Sequence, residues 1–538
     1  MLQRYLLFLC CLCLAAAVCR AQLSSTNLPV IQITTTVPIG TAQAPAQMAI
    51  VNNSAGLNHP GDAPEFAGMI GIKIRGNASL PKLSYTVETW YSYKNEMDTS
   101  LLGMPAENDW VLMAMYPDRS LMRSLLAYHI YEQMEYWSPR MQLVELLMDG
   151  NYKGVYLFGE TIKRDTFRLD IAKLKSVDNY YPEISGGYIF KIDNSGADYW
   201  LSNYNPPYAA AGQQIKFHFD YPKDDEITGV QRAWIKNYTD TFENRLNGPD
   251  FQDTAIGWRS HASHKSFRDY FLLNEALGNA EGYRLNTYVW KDKNKKLRAG
   301  PPWSWDLALY NSASCHAATD TGWMYRHAQY CSSDNFLPPF WWHRLQEDAG
   351  FVQEVKCRYT ELRQPGQPLD TARLFSFMDS VANRLNTEGA QVRNFALYPV
   401  FGVPLGDEPM PLAADYAAEV SRIKQYLIRR LAFLDAQWLT TDCSPASVPT
   451  LAGLQQAHLY PNPATDAATA VFQLPQPARM TLELADMYGR VISRQQTAQL
   501  PAGRQQLQVA VKSLPAGIYQ LRLQSSYGEK TVLRLVKQ

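Results

Sequence analysis

The order of hydrophobic and polar residues divides the chain into a strand-rich beginning, a helix-rich middle and a second strand-rich end. Leu28–Thr36 alternates and is rich in β-branched residues, which predicts a strand, and Met69–Arg75 is predicted to be another. Two apolar runs flank Asp149-Gly150, a dipeptide that favours the tight turn of a hairpin. The first part of the chain is therefore predicted to form a sheet.

Apolar residues recur at spacings of three and four in the middle of the chain, which predicts amphipathic helices. Asp118 is placed to cap the first of them, which we expect to run to Gln133. Strands that come mainly before helices indicate an α+β fold. The later predicted helices are Thr228–Leu246, Phe267–Leu277, Phe351–Arg363, Asp370–Asn386 and Asp415–Gln437.

The last part of the chain has a different pattern. Ser444–Leu454 is rich in Ser, Pro and Ala and predicts a linker, and short strands with turn residues between them follow from Leu459. That spacing predicts a small β-sandwich, to which we assign no chemistry. The predicted domains are 1–21 (signal peptide), 22–443 (main domain), 444–457 (linker) and 458–538 (β-sandwich).

The amino terminus predicts export. Arg4 precedes an apolar run, Tyr5–Val18, and a small residue at Ala21, which is the pattern of a secretory signal peptide cut before Gln22. Lipid attachment at Cys19 is the alternative, although the residue before it is bulky. No later segment contains the ~20 apolar residues that a membrane-spanning helix needs. The mature protein is therefore expected to be soluble or anchored by other means.

Composition and charge exclude some classes of partner. The chain has 51 basic and 51 acidic residues, so its formal charge is zero, and 46% of its residues are hydrophobic. A neutral globular chain of this kind has no general electrostatic attraction for nucleic acid or anionic lipid. We therefore expect no nucleic-acid partner.

Four cysteines remain after the predicted signal peptide: Cys315, Cys331, Cys357 and Cys443. An even number in an exported chain favours disulfides, and the preferred pairing of the three possible ones joins Cys315 to Cys331 and Cys357 to Cys443. A zinc site is the weaker alternative, because no pair has the CxxC spacing.

The segment Asn274–Asn311 contains the strongest candidate chemistry. It is predicted to be a helix end, a polar loop with Glu281 and Asn286, a hairpin, and a strand end with Asp306. Carboxylates and an amide around a hairpin are donors that a phosphate-bound divalent cation would need. In an extended strand, Ser304 and Asp306 would point to the same side.

A second candidate lies earlier in the chain, in IKIRGNASLPKLSY. A strand ending at Arg75, a small-residue loop and a returning strand with Lys82 could cover a phosphate, because backbone N–H groups and an ammonium favour anions. The alternative is an ordinary hairpin turn with a surface lysine.

Glu145 and Glu160 lie on the later hairpin, where either could face a basic partner in a cleft or belong to a solvated strand face.

The C-terminal segment resembles the type A sorting domain of the type IX secretion system of Bacteroidota. That resemblance implies passage through the periplasm, contact with the secretion machinery, and a secreted or outer-surface location. It is carried by Tyr460–Pro463, Tyr488–Arg490, Pro501–Gly503, Leu514, Gly517–Tyr519 and Leu535–Lys537.

The preceding region resembles the CotH kinase family, named for a spore-coat protein. The resemblance implies a two-lobed, atypical protein-kinase-like fold that uses ATP and Mg²⁺ to phosphorylate Ser or Thr of a protein substrate. It is carried, in family order, by IKIRGNASLPKLSY, DWVLMAMYPDRSLMR, GNYKGVYLFGE, SGGYIFKID, GYRLNTYVWKD and GPPWSWDLAL.

The resemblance also implies roles for individual residues. Arg75, Lys82 and Glu160 match family positions on the ATP side of the cleft. Asn286 and Asp306 match positions suited to magnesium. Glu281, together with Asp306, corresponds to the catalytic acids.

Four positions depart from the family pattern: Glu281 and Ser304 stand where the family has Asp, and Leu83 and Thr161 stand where it has Lys. A neutral hydroxyl is a poor magnesium ligand beside a carboxylate. Two further interpretations therefore stay open beside an active kinase. One is a catalytically impaired pseudokinase that acts as a surface binding or adhesion protein, and the other is a structural surface protein whose groove binds protein or glycan.

Overall fold

The computed structural model describes residues 23–194, 196–443, 455–474, 476–486, 491–526 and 530–538. The chain separates into two compact units, Met1–Cys443 and Ser444–Gln538. The predicted signal peptide (1–21) and residues 444–454 of the predicted linker lie outside the described residues. Within these described stretches, no helix combines the length and apolar character needed to cross a membrane.

The first unit begins with a mixed sheet whose strands are β1 (Val30–Thr35), β2 (Ala44–Val51), β3 (Phe66–Arg75), β4 (Ser84–Ser92), β5 (Asn95–Glu96), β6 (Asp109–Met113), β7 (Met141–Met148) and β8 (Asn151–Glu160). Their order is β3-β2-β1-β7-β8-β6-β4-β5, and β3 also pairs with β4, so the sheet closes on itself. The predicted β7–β8 hairpin is confirmed, and Asp149 and Gly150 at its turn have φ of 51° and 71°.

Alternation along β3 gives this sheet two different faces. Ile70 and Ile72 belong to a buried apolar cluster with residues of the neighbouring strands. Lys73 and Arg75, which alternate with them, line a cleft on the other face. A period of two residues per strand thus separates the core side chains from the polar ones.

The second sheet of this unit is antiparallel, with the order β10-β11-β9-β12-β13. Its strands are β9 (Tyr188–Ile192), β10 (Tyr199–Leu201), β11 (Lys216–Tyr221), β12 (Thr287–Lys291) and β13 (Leu297–Ala299). One apolar cluster includes residues of this sheet and of most helices of the unit, among them Phe190, Phe217, Phe267 and Trp341. Burial of such large side chains is the main stabilising contribution here.

The helices are α1 (Arg123–Gln133), α2 (Gly229–Asn247), α3 (His264–Leu277), α4 (His327–Tyr330), α5 (Trp341–Leu345), α6 (Ala349–Leu362), α7 (Thr371–Thr387), α8 (Ala390–Leu397) and α9 (Tyr416–Trp438). Asp370 and Asp415 cap α7 and α9, close to the predicted starts. The predicted start of α1 at Asp118 is wrong, because the helix begins at Arg123. Asp118 instead accepts hydrogen bonds from the N–H groups of Ser120, Met122 and Arg123.

The α+β fold class is confirmed by this arrangement of sheets and helices. The strands of the closed sheet come first, and most helices follow them. The kinase-like, two-lobed arrangement stays a prediction.

The second unit contains β14 (Gln455–Tyr460), β15 (Ala467–Leu474), β16 (Met480–Asp486), β17 (Val491–Gln496), β18 (Gly503–Ala510), β19 (Gly517–Ser525) and β20 (Lys530–Lys537). They form two antiparallel sheets, β14-β15-β18 and β17-β16-β19-β20, and Phe472, Leu482 and Leu521 share one core. The first strand begins three residues before the predicted domain start at 458. Tyr488–Arg490, which contributed to the sorting-domain resemblance, lies outside the described residues.

Candidate functional site

A cleft of about 1020 Å³ opens between the closed sheet and the second sheet of the first unit. The loops before β12 and after β13 complete its walls. Its charged and amide-bearing lining residues are Lys73, Arg75, Asn77, Asp109, Lys163, Lys191, Asp193, Asn194, Asp220, Lys223, Glu281, Asn286 and Asp306. Four of the predicted site residues (Arg75, Glu281, Asn286 and Asp306) therefore lie around one cavity.

The loop with Glu281 and Asn286 starts where α3 ends. Gly278 has the left-handed φ of 55°, and a Cβ there would lie 1.9 Å from the Tyr426 hydroxyl, so glycine is required. Tyr283 donates its hydroxyl hydrogen bond to Glu275, a buried carboxylate that Arg430 pairs with at 3.1 Å. The loop is thus fixed to the helical core on both sides of Glu281.

Glu281 and Asn286 contact each other directly. The Asn286 amide nitrogen donates to Glu281 Oε2 at 3.2 Å, which leaves the Asn286 amide oxygen free to accept. Burial raises the pKa of the Glu281 carboxyl, and Arg284 and Asn286 oppose that rise. A carboxylate with a raised pKa is better suited to accept a proton than an ordinary surface glutamate.

Asp306 is held by the amino-terminal turns of α1. Ser124 donates to Asp306 Oδ1 at 3.1 Å and accepts from the Trp305 N–H at 2.9 Å. The Ser304 N–H donates to the Tyr128 hydroxyl at 3.1 Å. Burial, with the nearby Asp118 charge, raises the pKa of Asp306 to about 7.

The predicted strand around Asp306 is wrong. The hairpin β12–β13 ends at Ala299, and the following residues form no strand. Ser304 adopts a left-handed φ of 53°, so the two-residue strand period does not apply to it. Ser304 and Asp306 nevertheless both line the cleft, because the segment turns between them.

Arg75, in the segment IKIRGNASLPKLSY, contacts Trp303 in the segment Asn274–Asn311. Its guanidinium lies over the Trp303 ring at 4.8 Å, which is a cation–π contact. The loop after it, Gly76 and Asn77, also lines the cleft. The small-residue loop and the Asp306 segment therefore share one wall.

Lys82, the other predicted phosphate-contacting residue, does not line the cleft. Its ammonium donates to the Val155 carbonyl and, at 2.9 Å, to the Asn394 side chain, and it sits over the Tyr156 ring at 4.6 Å. Tyr156 belongs to the apolar cluster on the sheet face opposite Lys73 and Arg75. Burial lowers the pKa of Lys82 to about 7, and the charge of Asp306 opposes that shift. Its assignment to ATP phosphates stays a prediction.

Glu160 is also engaged by protein groups. Its carboxylate pairs with Arg140 at 2.6 Å and accepts from the Arg140 N–H at 3.0 Å, and the side chain is fully buried. It does not line the cleft, although Thr161 and Lys163 just after it do. Its predicted cofactor contact likewise stays a prediction.

Comparison with known protein families decides the relationship of the chain. A family model described as CotH kinase protein matches residues 72–434, which is more than half of the chain. The chain belongs to the CotH kinase protein family. A model described as secretion system C-terminal sorting domain matches residues 458–538. No curated protein matches the chain.

Both resemblances are thereby confirmed, and the CotH match includes every candidate residue of the cleft. The sorting domain supports secretion or an outer-surface location and implies the corresponding secretion machinery.

At position 161, where this CotH chain lacks the expected lysine, Thr161 lines the cleft, and so does Lys163. Lys163 pairs with Asp109 at 2.6 Å and with Glu107.

Sequence reasoning missed several cleft residues of this CotH domain, among them Lys73, Lys191, Asp193, Asp220 and Tyr288. Lys191 and Asp193 stand in the SGGYIFKID motif, and Lys191 is opposite Tyr288 in the register of β9 and β12. The sequence signal that could have identified Lys191 and Asp193 was strand alternation combined with the family motif. Alternation alone could not say which strand face borders the cleft.

The predicted disulfide between Cys315 and Cys331 is confirmed. Cys357 and Cys443 are both free, so the second predicted disulfide is not formed. Among the described residues, only Cys315, His327 and Asp334 approach the spacing of a metal site. A sulfur in a disulfide offers no thiolate, and Asp334 already pairs with Arg284 and His327, so this group does not fit zinc.

Proposed function

We propose that this exported CotH-family protein binds Mg²⁺ and ATP in the cleft and transfers the γ-phosphate to Ser or Thr of a protein substrate. The carrying observation is the presence in the cleft of both cations and carboxylates that form no ion pair with any residue the structure describes. Lys73 and Arg75 lie at the end of β3, whereas Glu281 lies on the loop after α3 and Asp306 lies on the segment after β13. A metal–triphosphate complex carries both charges and complements both groups.

The residues present fit magnesium. Asp306 and Asn286 would hold it through a carboxylate oxygen and an amide oxygen, the hard donors that Mg²⁺ prefers. The Asn286 nitrogen is directed to Glu281, so its oxygen is the free atom. Bound there, the metal would neutralise charge on the phosphate oxygens during transfer.

The protein groups then have separate tasks. Glu281 accepts the proton of the substrate hydroxyl, for which its raised pKa suits it. Arg75, whose guanidinium lies over the Trp303 ring, orients and neutralises the phosphate. In this proposal Lys82 and Glu160 act as supports: Lys82 ties β8 to Asn394 of α8, and Glu160 anchors Arg140.

Binding and transfer are tested separately on the full chain lacking residues 1–21. Saturating Mg²⁺-ATP is expected to raise the free energy of unfolding by about 2–4 kcal/mol. Radiolabel from γ-labelled ATP should then appear on a generic acidic or basic protein substrate, and Asp306→Asn should abolish the transfer. Absence of stabilisation by any nucleotide would contradict the proposal.

The second candidate function is a nucleotide-binding surface protein without turnover. Glu281 and Ser304 favour it, because both depart from the family acids at the metal and base positions. One extra methylene at position 281 shifts a carboxylate by about 1 Å, enough to cost ~100-fold in rate. Stabilisation by Mg²⁺-ATP without phosphate transfer would favour this candidate over the kinase.

Export completes the proposal. We propose a signal peptide at 1–21, a CotH domain at 22–443, a linker at 444–457 and a sorting domain at 458–538, with passage through the periplasm. The family match at 458–538 and the boundary of the compact units at Cys443 support this division. Amino-terminal sequencing of secreted protein should start at Gln22.

A further inference from the structure

The four-stranded sheet β17-β16-β19-β20 of the second unit has one face in the core and one face outside it. Leu482 and Leu521 lie in the buried apolar cluster of this unit. Successive side chains of a strand point to opposite faces, so Glu483 and Arg522 point away from that core. In the register of the sheet, Glu483 lies opposite Arg494 on one side and opposite Arg522 on the other. Residues opposite each other share a face, so one glutamate stands between two arginines on the outer face.

The last strand adds a third arginine to this outer face. Arg534 is exposed, and it alternates along β20 with Leu535, which is buried in the core of the unit. It lies opposite Gln520 of β19. The outer face therefore carries an arginine on β17, on β19 and on β20.

Apolar side chains lie on the same outer face. Ile518 is 43% exposed and alternates along β19 with Tyr519, which belongs to the buried core. Val536 of β20 lies opposite Ile518 in the register of the sheet. A surface that combines arginine with exposed aliphatic residues has the composition of a protein interface more than that of an ordinary solvated sheet.

Only part of the positive charge on this face is neutralised within the described residues. Glu483 pairs with Arg494 at 3.2 Å. Neither Arg522 nor Arg534 has a carboxylate of the described chain within ion-pair distance, and the buried Arg522 Nε has no hydrogen-bond partner there. Buried polar groups are normally paired, so Arg522 is suited to an acceptor that a partner supplies.

The other sheet of the same unit provides a comparison. Its strands β14, β15 and β18 contain a single Asp, Glu, Lys or Arg, which is Arg504. Arg504 is exposed and lies opposite Gln473, whereas Gln508 lies opposite Thr469. The concentration of arginines is thus a property of one face and not of the unit as a whole.

We propose that the outer face with Arg494, Arg522, Arg534 and Ile518, here called the arginine face, binds an acidic protein surface of the secretion machinery. The match to a sorting domain implies contact with that machinery but identifies no surface for it. Guanidinium groups complement carboxylates in charge and geometry, and the aliphatic side chains add apolar contact. A second copy of this chain is a poorer occupant, because its arginine face would oppose arginine to arginine. This docking role is independent of the kinase activity proposed above.

The test measures export of the complete chain from a cell that carries this secretion system. Arg522→Glu combined with Arg534→Glu is expected to lower the exported fraction about tenfold or more, because two attractive contacts become repulsive. Arg522→Lys combined with Arg534→Lys keeps both charges and is expected to retain about half of the export or more. Arg504→Glu is the matched control, since it reverses an exposed arginine on the other sheet and should leave export unchanged. Thermal unfolding of each purified chain checks that the second unit is folded.

Three results would overturn the proposal. The first is normal export of the folded chain with both charges reversed. The second is an equal loss in Arg504→Glu or in the double lysine variant, because the position or the sign of the charge would then not be what is recognised. The third is unchanged export together with lost binding to phosphatidylglycerol vesicles, which would assign the arginine face to anionic lipid. Phosphate transfer by the purified chain is measured separately, so the kinase proposal and the docking proposal can fail independently.

Discussion

At the scale of single residues, Ser304 determines how the two candidate functions differ. Its backbone is left-handed, with φ of 53°, and its N–H is held by Tyr128. Aspartate tolerates this conformation better than most residues. The backbone at position 304 is therefore compatible with the carboxylate that the family usually has there.

Ser304→Asp is expected to restore a second acid beside Asp306 and to strengthen Mg²⁺-dependent ATP binding about tenfold or more. The reason is that a carboxylate is a much better magnesium ligand than a hydroxyl. Calorimetric titration of ATP at fixed Mg²⁺ measures the change. Ser304→Asn, which has the same shape without the charge, is the control, and equal affinity in both variants would refute the metal explanation.

Glu243 predicts a pH effect far from the cleft. This fully buried carboxylate of α2 accepts hydrogen bonds from Ser202 and Trp341, and burial raises its pKa from 4.5 to about 7. A raised folded-state pKa means that its stability contribution is present below pH 4.5 and lost as the pH rises through 7. Glu243→Gln should therefore gain stability over the wild type, by up to about 3 kcal/mol at pH 8.

Urea unfolding of Glu243→Gln and of the wild type at pH 4.5 and pH 8 measures this difference. The exposed Glu347 provides the control, since Glu347→Gln should show no comparable pH-dependent gain. A difference between wild type and Glu243→Gln that does not grow with pH would show that the native carboxyl is not held neutral.

Glu281, Asn286 and Asp306, which the sequence suggested as site residues, all line one cleft, because the loop after α3 and the segment after β13 both border it; their roles stay predictions. The sequence did not predict Tyr288 or the true place of Lys82. Alternation along β12 identifies two faces without saying which borders a cleft, and the direction of Lys82 depends on Asn394, more than three hundred residues later.

At the scale of elements, the junction of α3 with the site loop depends on one glycine. Gly278→Ala would place a Cβ on the Tyr426 hydroxyl in a backbone region that L-residues disfavour. We expect it to lower the free energy of unfolding by about 2–4 kcal/mol, from left-handed strain together with overpacking.

Chemical denaturation measures that loss. Gly212→Ala is the matched control, because Gly212 also has a left-handed φ, 69°, but open space around its missing Cβ. Gly212→Ala should lower the free energy of unfolding by about 1 kcal/mol, from left-handed backbone strain alone. Equal losses at the two positions would mean that Tyr426 moves aside without cost.

The start of α1 shows that local sequence patterns do not always predict where a helix begins. The carboxylate of Asp118 does bind the first N–H groups of α1, as a cap would, but a turn through Ser120 and Leu121 delays the helix to Arg123. Leu121 has a left-handed φ of 57°, which no sequence periodicity predicts. Asp370 and Asp415 lack such a turn, and their helices begin immediately after them.

At the scale of the whole molecule, the two units have separate cores. The apolar clusters of the first unit contain no described residue beyond Trp438, and that of the second begins at Ala464. A chain ending at Cys443 is therefore expected to keep the melting temperature of the first unit within about 2 °C. Differential scanning calorimetry should show two transitions for the whole chain and one for the truncated chain; loss of the remaining transition would contradict independent cores.

Closure of the first sheet restricts how the proposed kinase could recognise a substrate protein. β3 pairs with β4 as far as Arg75 and with β2 as far as Ile72, and beyond Ile72 the Ile74 N–H donates to the Gly40 carbonyl at 2.7 Å. The backbone N–H groups of this strand end are therefore already engaged. Strand addition, by which many peptide-binding domains capture extended segments, cannot occur there. For the kinase proposed above, we therefore expect an acceptor to present its hydroxyl on a loop that enters the cleft side-chain first, so that selectivity resides in local loop shape more than in a linear motif.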